Sequence, residues 1–414
     1  MSTKVAAENF PAPLPAGEGG NKPVVVIREY DEKKDKVGVE ELERRCEIGQ
    51  RGKSFLVTDL MGDPICRVRL VPSHVMLVAE YGEEIVGAIR ACVKTVTRGN
   101  SSVYVKLAYI LGLRVSPTHR RLGIGTKLVQ ETENWCKSEG AEYAYMATDC
   151  ANEPSINLFT RKCSYTKFRN PAMLVQPVHA HYKPIASGIA IIRITPRLAE
   201  AIYRRVFANA EFFPKDIGTI LSSKLNLGTF MAVYKKCLPP KWDPKTGILP
   251  PSFAMLSVWN TKEVFKLQVK GVSKLTYACC TGTRLLDAWM PWLRLPSFPD
   301  VFRQFGVYFL YGLAMEGKKS CRLMKALCRF AHNMGRDDDG CGALVAEVGQ
   351  MDPARDAIPH WRRFSWAEDL WCIKRLSGDD DNEMKKHDGD GRCGPSDWMK
   401  HRSSSVIFVD PRDI

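Results

Sequence analysis

No apolar run in the 414 residues reaches the roughly 20 residues that span a bilayer, and no apolar leader opens the chain. A soluble, intracellular protein of nucleus, cytoplasm or both is expected, with no membrane partner. The 14 cysteines include no Cys-x-x-Cys pair. Cys321, Cys328, His332 and Cys341 lack zinc-site spacing, so no metal is expected, and dispersed cysteines without a secretory signal read as reduced thiols. The formal net charge is +14, yet no nucleic-acid-binding motif and no strong basic localisation run accompany it. Direct nucleic-acid binding is not expected, and a monomer is.

What is present is an ordinary globular composition, 45% apolar and 26% charged, with length for two domains. Charge is uneven: residues 1–184 carry 26 Lys and Arg against 21 Asp and Glu, residues 185–414 carry 34 against 25. Residues 1–23, rich in Pro, Ala and Gly, read as a disordered tail, and 378–402 as a mobile charged insertion.

One stretch organises the rest. From Tyr109 the sequence is β-favourable, breaks at Ser116-Pro117, and enters a helix whose Ile124, Leu128, Val129, Thr132 and Cys136 share a face. Between lies Arg120-Arg121-Leu122-Gly123-Ile124-Gly125-Thr126. Two glycines at a helix start expose free backbone N–H groups to close approach, and two arginines add charge to the helix dipole. A multi-oxygen anion such as a pyrophosphate would bind there. A dinucleotide turn is excluded at this place because Leu128 holds the third glycine's position, and a P-loop because Thr126-Lys127 follows Gly125.

This pattern resembles the acetyl-coenzyme A signature of the GNAT acetyltransferase superfamily. Asn152, Ser155, Leu158 and Phe159 match the family's following helix in register, and Lys162-Cys163-Ser164-Tyr165 resembles the segment after it. The resemblance implies an α/β (α+β) GNAT fold over 24–180, in the order β-α-β-β-β-α-β-α-β, with acetyl-CoA as cosubstrate. Strands are expected at Val24–Tyr30, Val75–Glu80, Glu84–Val96, Val105–Val115 and Glu142–Thr148. By the same resemblance Leu113, Arg114 and Val115 would hold the pantetheine arm, Arg120 to Thr126 the pyrophosphate, and Asn152 and Phe159 further parts of the cofactor. Tyr109 falls where some members carry a tyrosine that assists amine deprotonation; Asp149 is a reserve base. Two departures stand out: Ala147 replaces a histidine, and Phe159, which cannot donate a proton, replaces the thiolate-protonating tyrosine, with Thr160 one residue on.

The second half repeats these signals at an offset near 200. Ile189–Ile194 and Pro196–Phe207 read as strand and helix, Pro214–Gly228 as helix, and Phe253–Trp259 with Val264–Val269 as a hairpin. Val307–Leu313, a helix to Asn333 and Ala343–Val348 follow, with a closing strand at Val406–Val409. Its phosphate turn is lost, since Ser320, Leu323 and Lys325 stand for Arg120, Gly123 and Gly125. A degenerate second GNAT-like domain is expected over 185–414, serving as scaffold, acceptor wall or partner surface. Along nearly its full length the chain resembles the plant HOOKLESS-like group of probable N-acetyltransferases, carried by His119–Gly125, Asn152–Ser155, Phe159–Cys163, Phe212–Ile217 and Val406–Arg412. That resemblance implies a protein or small-molecule amine as acceptor, histone or other nuclear protein among them, and hormone-responsive growth control in auxin and ethylene signalling. The other reading is a coenzyme A-sensing, catalytically weak regulator.

Overall fold

The computed structural model describes residues 24–46, 55–99, 103–238, 249–293, 297, 299–362, 365, 369–376, 398–400 and 406–414. The tail expected over 1–23 lies outside the described residues, as does the charged insertion except for 398–400.

The first half runs β1 (Val25–Glu29), α1 (Glu32–Cys46), β2 (Phe55–Asp59), β3 (Ser73–Tyr81), β4 (Glu84–Arg98), β5 (Tyr104–Val115), α2 (Ile124–Ser138), β6 (Tyr143–Asp149), α3 (Glu153–Asn157), β7 (Thr166–Arg169) and β8 (Ala172–Pro177). The second runs β9 (Ile189–Ile194), α4 (Pro196–Val206), β10 (Glu211–Pro214), α5 (Ile217–Ser222), β11 (Asn226–Tyr234), β12 (Phe253–Asn260), β13 (Lys266–Lys270), α6 (Lys274–Trp289), β14 (Gly306–Glu316), α7 (Ser320–Arg336), β15 (Cys341–Val348) and β16 (Asp369–Arg375).

Two sheets result. The first has the order β1-β3-β4-β5-β6-β16-β7, with β10 beside β4; the second is β8-β15-β14-β12-β11-β9. In both, an antiparallel run meets one parallel pair, β5 with β6 and β14 with β15. β4 is buried along most of its length, as a central strand covered on both faces must be, and carries Arg90 and Lys94 among its buried residues. On one face α2 buries Ile124, Leu128, Val129 and Cys136; on the other α1 buries Val39 and Leu42. Full burial of Leu128 alone contributes about 1.5–3 kcal/mol. The inner faces of both sheets, with α4, α5 and the segment 406–409, share one core that includes Tyr109, Tyr145, Phe213, Phe309, Val345, Trp371 and Phe408.

The sheets do not divide where the sequence reading drew its boundary. β8, from the end of the first half, pairs antiparallel with β15 in the second sheet. β16, from the second half, enters the first sheet between β6 and β7. Each half thus lends a strand to the other, over separations no local pattern reports.

Three further expectations are corrected. Val264–Val269 is not the second arm of a hairpin with β12: β13 pairs with β2, and β12 pairs with β11 and β14. The helix expected over Pro214–Gly228 is confined to α5; Asn226 onward is β11, whose apolar run is buried between two strands. Val406–Val409 makes only an isolated bridge, Ile407 with Glu211.

Candidate active site

β5 and β6 pair from Leu107 and Tyr143 to Ile110 and Met146, then part, although β5 continues to Val115 and β6 to Asp149. The unpaired ends form a wedge. On its other edge β5 carries a bulge, with Leu111 opposite Arg90 and Arg114 opposite Ala88. Gly112 sits in it at φ 64°, and a Cβ there would lie 2.6 Å from Arg90 Nη1. Arg90 in turn donates to Gly112 O at 3.2 Å and to Glu43 at 2.9 Å. Glycine is required, and the bulge bends β5 away from its neighbour.

The turn beyond the wedge is built as a helix start without a cap. Pro117–His119 forms a 3-10 turn, Arg121 and Gly123 have φ of 66° and 81°, and Gly123 provides no side-chain bond to the first amides of α2. A Cβ on Gly125 would lie 3.4 Å from Leu158, 3.7 Å from Val115 and 4.0 Å from Leu113. The missing side chain therefore leaves the space where the helix start meets the wedge. Arg120, Arg121 and Leu122 are exposed there. Uncapped amides, the helix dipole and two guanidinium groups suit a pyrophosphate.

On the inner face beside the wedge, Tyr109 stacks on Tyr145 at 4.7 Å, and Tyr145 donates to Asp413 at 2.6 Å. Lys94 is held by Asp413 and, at 3.5 Å, by Asp410. Burial opposes the charge on Lys94, but these two carboxylates outweigh it and raise its pKa. Burial also lifts the Tyr109 hydroxyl well above its usual range. Tyr109 at neutral pH is a proton-bearing, ordering group and a poor base alone.

The sequence profile of the "Acetyltransferase (GNAT) family" matches residues 38–165. "Probable N-acetyltransferase HLS1-like" of Arabidopsis thaliana is 48% identical, over 94% of this chain and 99% of that one. "Acetyl transferase GW6a" of Oryza sativa subsp. japonica is 42% identical, over 95% of this chain and 98% of that one. The chain belongs to the GNAT acetyltransferase family. Within it the chain groups with these HLS1-like relatives and is an acyltransferase. Among solved structures, the GCN5-related glucosamine N-acetyltransferase region of a fungal multi-domain β-N-acetylglucosaminidase resembles it at 14% identity and TM-score 0.51, covering 85% of this chain and 38% of that one, a likeness of fold.

The GNAT site gathers some of the residues singled out from the sequence and disperses others. Leu113, Val115 and Gly125 come together at the wedge mouth, with Gly123 and Thr126 flanking at the start of α2 and Ile124 buried as its anchor. Arg114 pairs with Glu43 at 3.0 Å on the side of α1. Asn152 is the N-cap of α3, accepting from Ser155 N at 3.4 Å and donating to Thr148 at 3.1 Å. Phe159 is 2% exposed and packs edge-on against Tyr165, so its ring serves the core. Thr160 spends its hydroxyl on Ile156 O at 2.7 Å. Asp149 accepts from Ala151 N at 2.6 Å, closing the turn after β6. What the sequence reading missed is the inner-face ensemble of Lys94, Asp413 and Glu347: their contacts span up to 319 positions, and their only trace was the closing Val406–Arg412 motif.

Proposed function

We propose that the first repeat transfers acetyl from acetyl-CoA directly to a protein amine held between the two sheets. The observation that carries this reading is the parting of β5 and β6 beside the uncapped start of α2. Arg120, Arg121 and the amides from Gly123 to Thr126 would hold the pyrophosphate, and the edge of β5 at Leu113 and Val115, which β6 no longer pairs, the pantetheine arm. Bound there, acetyl-CoA supplies an activated thioester. β5 fixes its direction and the core behind Tyr109 excludes water.

A protein acceptor, nuclear proteins and histones among them, and a part in hormone-responsive growth are supported by the HOOKLESS-like resemblance. The carboxylates of Asp149 and Asp369, paired across β6 and β16, favour a cationic amine. The test is calorimetric titration with acetyl-CoA, followed by acetylation of histone and N-terminal peptides. Saturable micromolar binding with turnover of one peptide class is expected; no binding to the intact protein rejects the reading.

A further inference from the structure

The inner face beside the wedge collects buried polar atoms that no described residue satisfies. β15 turns Ala343 and Val345 into the core shared by the sheets, and by alternation Glu347 follows them, while Leu344, Ala346 and Val348 face α7. Glu347 is 7% exposed, and its Oε1 has no hydrogen-bond partner among the described residues. Asp413 Oδ1 is orphaned likewise, while the Trp371 indole is a hydrogen-bonding neighbour of Glu347. They belong to one neighbourhood: Glu347 lies opposite Met173 of β8, Asp369 N donates to Pro171 O at 3.0 Å just before that strand, and Tyr145, which donates to Asp413, lies 5.4 Å from the Trp371 ring. Trp371 lies opposite Ala147, at the first step where β6 no longer pairs with β5. Buried polar atoms are normally satisfied, so two orphan acceptors in one neighbourhood describe a place built for an incoming hydrogen-bond donor.

We infer that Glu347, a residue of the second repeat, is the proton acceptor for the amine acetylated at the wedge of the first. This rests on the acetyl-transfer reading above. Ala147 contributes only a methyl group at the step where β6 leaves β5, opposite Trp371. Burial, then Asp369 and Asp413, push the Glu347 carboxyl up to about 8, where a base can accept a proton from an ammonium near neutral pH. The groups facing it are Asp369 and Trp371 from β16, Tyr109 from β5 and Asp413 from the closing segment. Asp149 stands behind Asp369, and Lys94 and Tyr145 hold Asp413.

The step balances. Glu347 takes one proton from the acceptor ammonium, and the freed nitrogen lone pair forms the C–N bond at the thioester carbonyl. The C–S bond breaks with its electron pair on sulfur, the second nitrogen proton passes to that sulfur, and Glu347 returns its proton to solvent. The products are an amide, a thiol and one proton.

Wild type is compared with Glu347→Gln and Glu347→Asp on the histone or N-terminal peptide that wild type acetylates. Glu347→Gln is expected to lower kcat by about 10²–10⁴-fold, to leave acetyl-CoA affinity within about twofold, and to erase the limb near pH 8 in kcat/KM. Glu347→Asp should restore part of the rate. Difference infrared titration, which needs no turnover, should show a carboxyl titrating near pH 8 in wild type and not in Glu347→Gln. Unchanged rate and pH profile in a folded Glu347→Gln overturn the assignment alone. Wild type that binds acetyl-CoA yet acetylates nothing overturns the functional reading and the assignment with it.

Discussion

The two repeats share a skeleton and differ in what fills it. Gly112 and Gly312 occupy the same bulge at φ 64° and 61°, and the parallel pair of the second sheet also stops early, at Phe309 and Val345. In the first repeat the strand ends open toward Gly125 and an uncapped helix. In the second, the helix start is Lys319 at φ 61° and Leu323, fully buried, stands for Gly123, while Tyr203 crowds Gly312 as Arg90 crowds Gly112, at 2.4 and 2.6 Å from where a Cβ would lie. Tyr203 is itself tied to Ser257 at 2.8 Å. A GNAT wedge is a gap in a sheet, and a gap is kept only where something other than the protein is to fill it; elsewhere side chains close it.

The largest expected break in the comparison is removal of one repeat. A chain ending at residue 185 lacks β16, leaving β6 and β7 without their shared neighbour and the inner core open; it should be insoluble or molten by near-UV circular dichroism. Next, Gly125→Trp should weaken acetyl-CoA binding at least 100-fold by calorimetry, since a side chain there enters the space bounded by Leu158, Val115 and Leu113. Lys325→Trp, at the matching place of the second repeat, should leave affinity unchanged.

Leu323→Ala should cost about 2–5 kcal/mol in denaturant unfolding, with affinity per folded molecule intact. The pH response is comparable or smaller. Glu347 keeps its proton to about 8 when folded but releases it near 4.5 when unfolded, so its contribution is full below that lower value and is lost as pH rises toward 8. Wild type should lose stability across this window, and Glu347→Gln should lack that loss. Smallest is Asp149→Asn, about 0.5–1 kcal/mol and less than threefold in rate, because Asp149 closes a turn; a larger rate loss would make it the base instead of Glu347.

What was legible in the sequence was what neighbours in the chain decide. The β5 to α2 turn, the β3–β4 hairpin and the α2 face are written in glycine spacing and periodicity within some thirty residues, and the repeat surfaced because Gly112 and Gly312 recur with their strands. The strand exchange was illegible, since β8 and β16 are ordinary apolar strands whose partners are fixed by the whole assembly. The hairpin expected at Asn260-Thr261-Lys262 failed for the same reason: Thr261 has local turn character, but its hydroxyl bonds Val307 and sends the chain to β2. Phe159 and Asn152 matched a family register, yet burial and a capping bond decided what each does here. Glu347 carried no motif, because its place comes only from the pairing of β15 with β8, which brings it beside the start of β16.

The exchange also sets the timing of synthesis. β6 leaves the ribosome more than two hundred residues before β16. At about 5–20 residues per second, its open edge waits roughly 10–45 s for its partner. An unfinished chain therefore holds the phosphate turn but neither the completed sheet nor Glu347, and the framework around the turn closes only after β16 has been made.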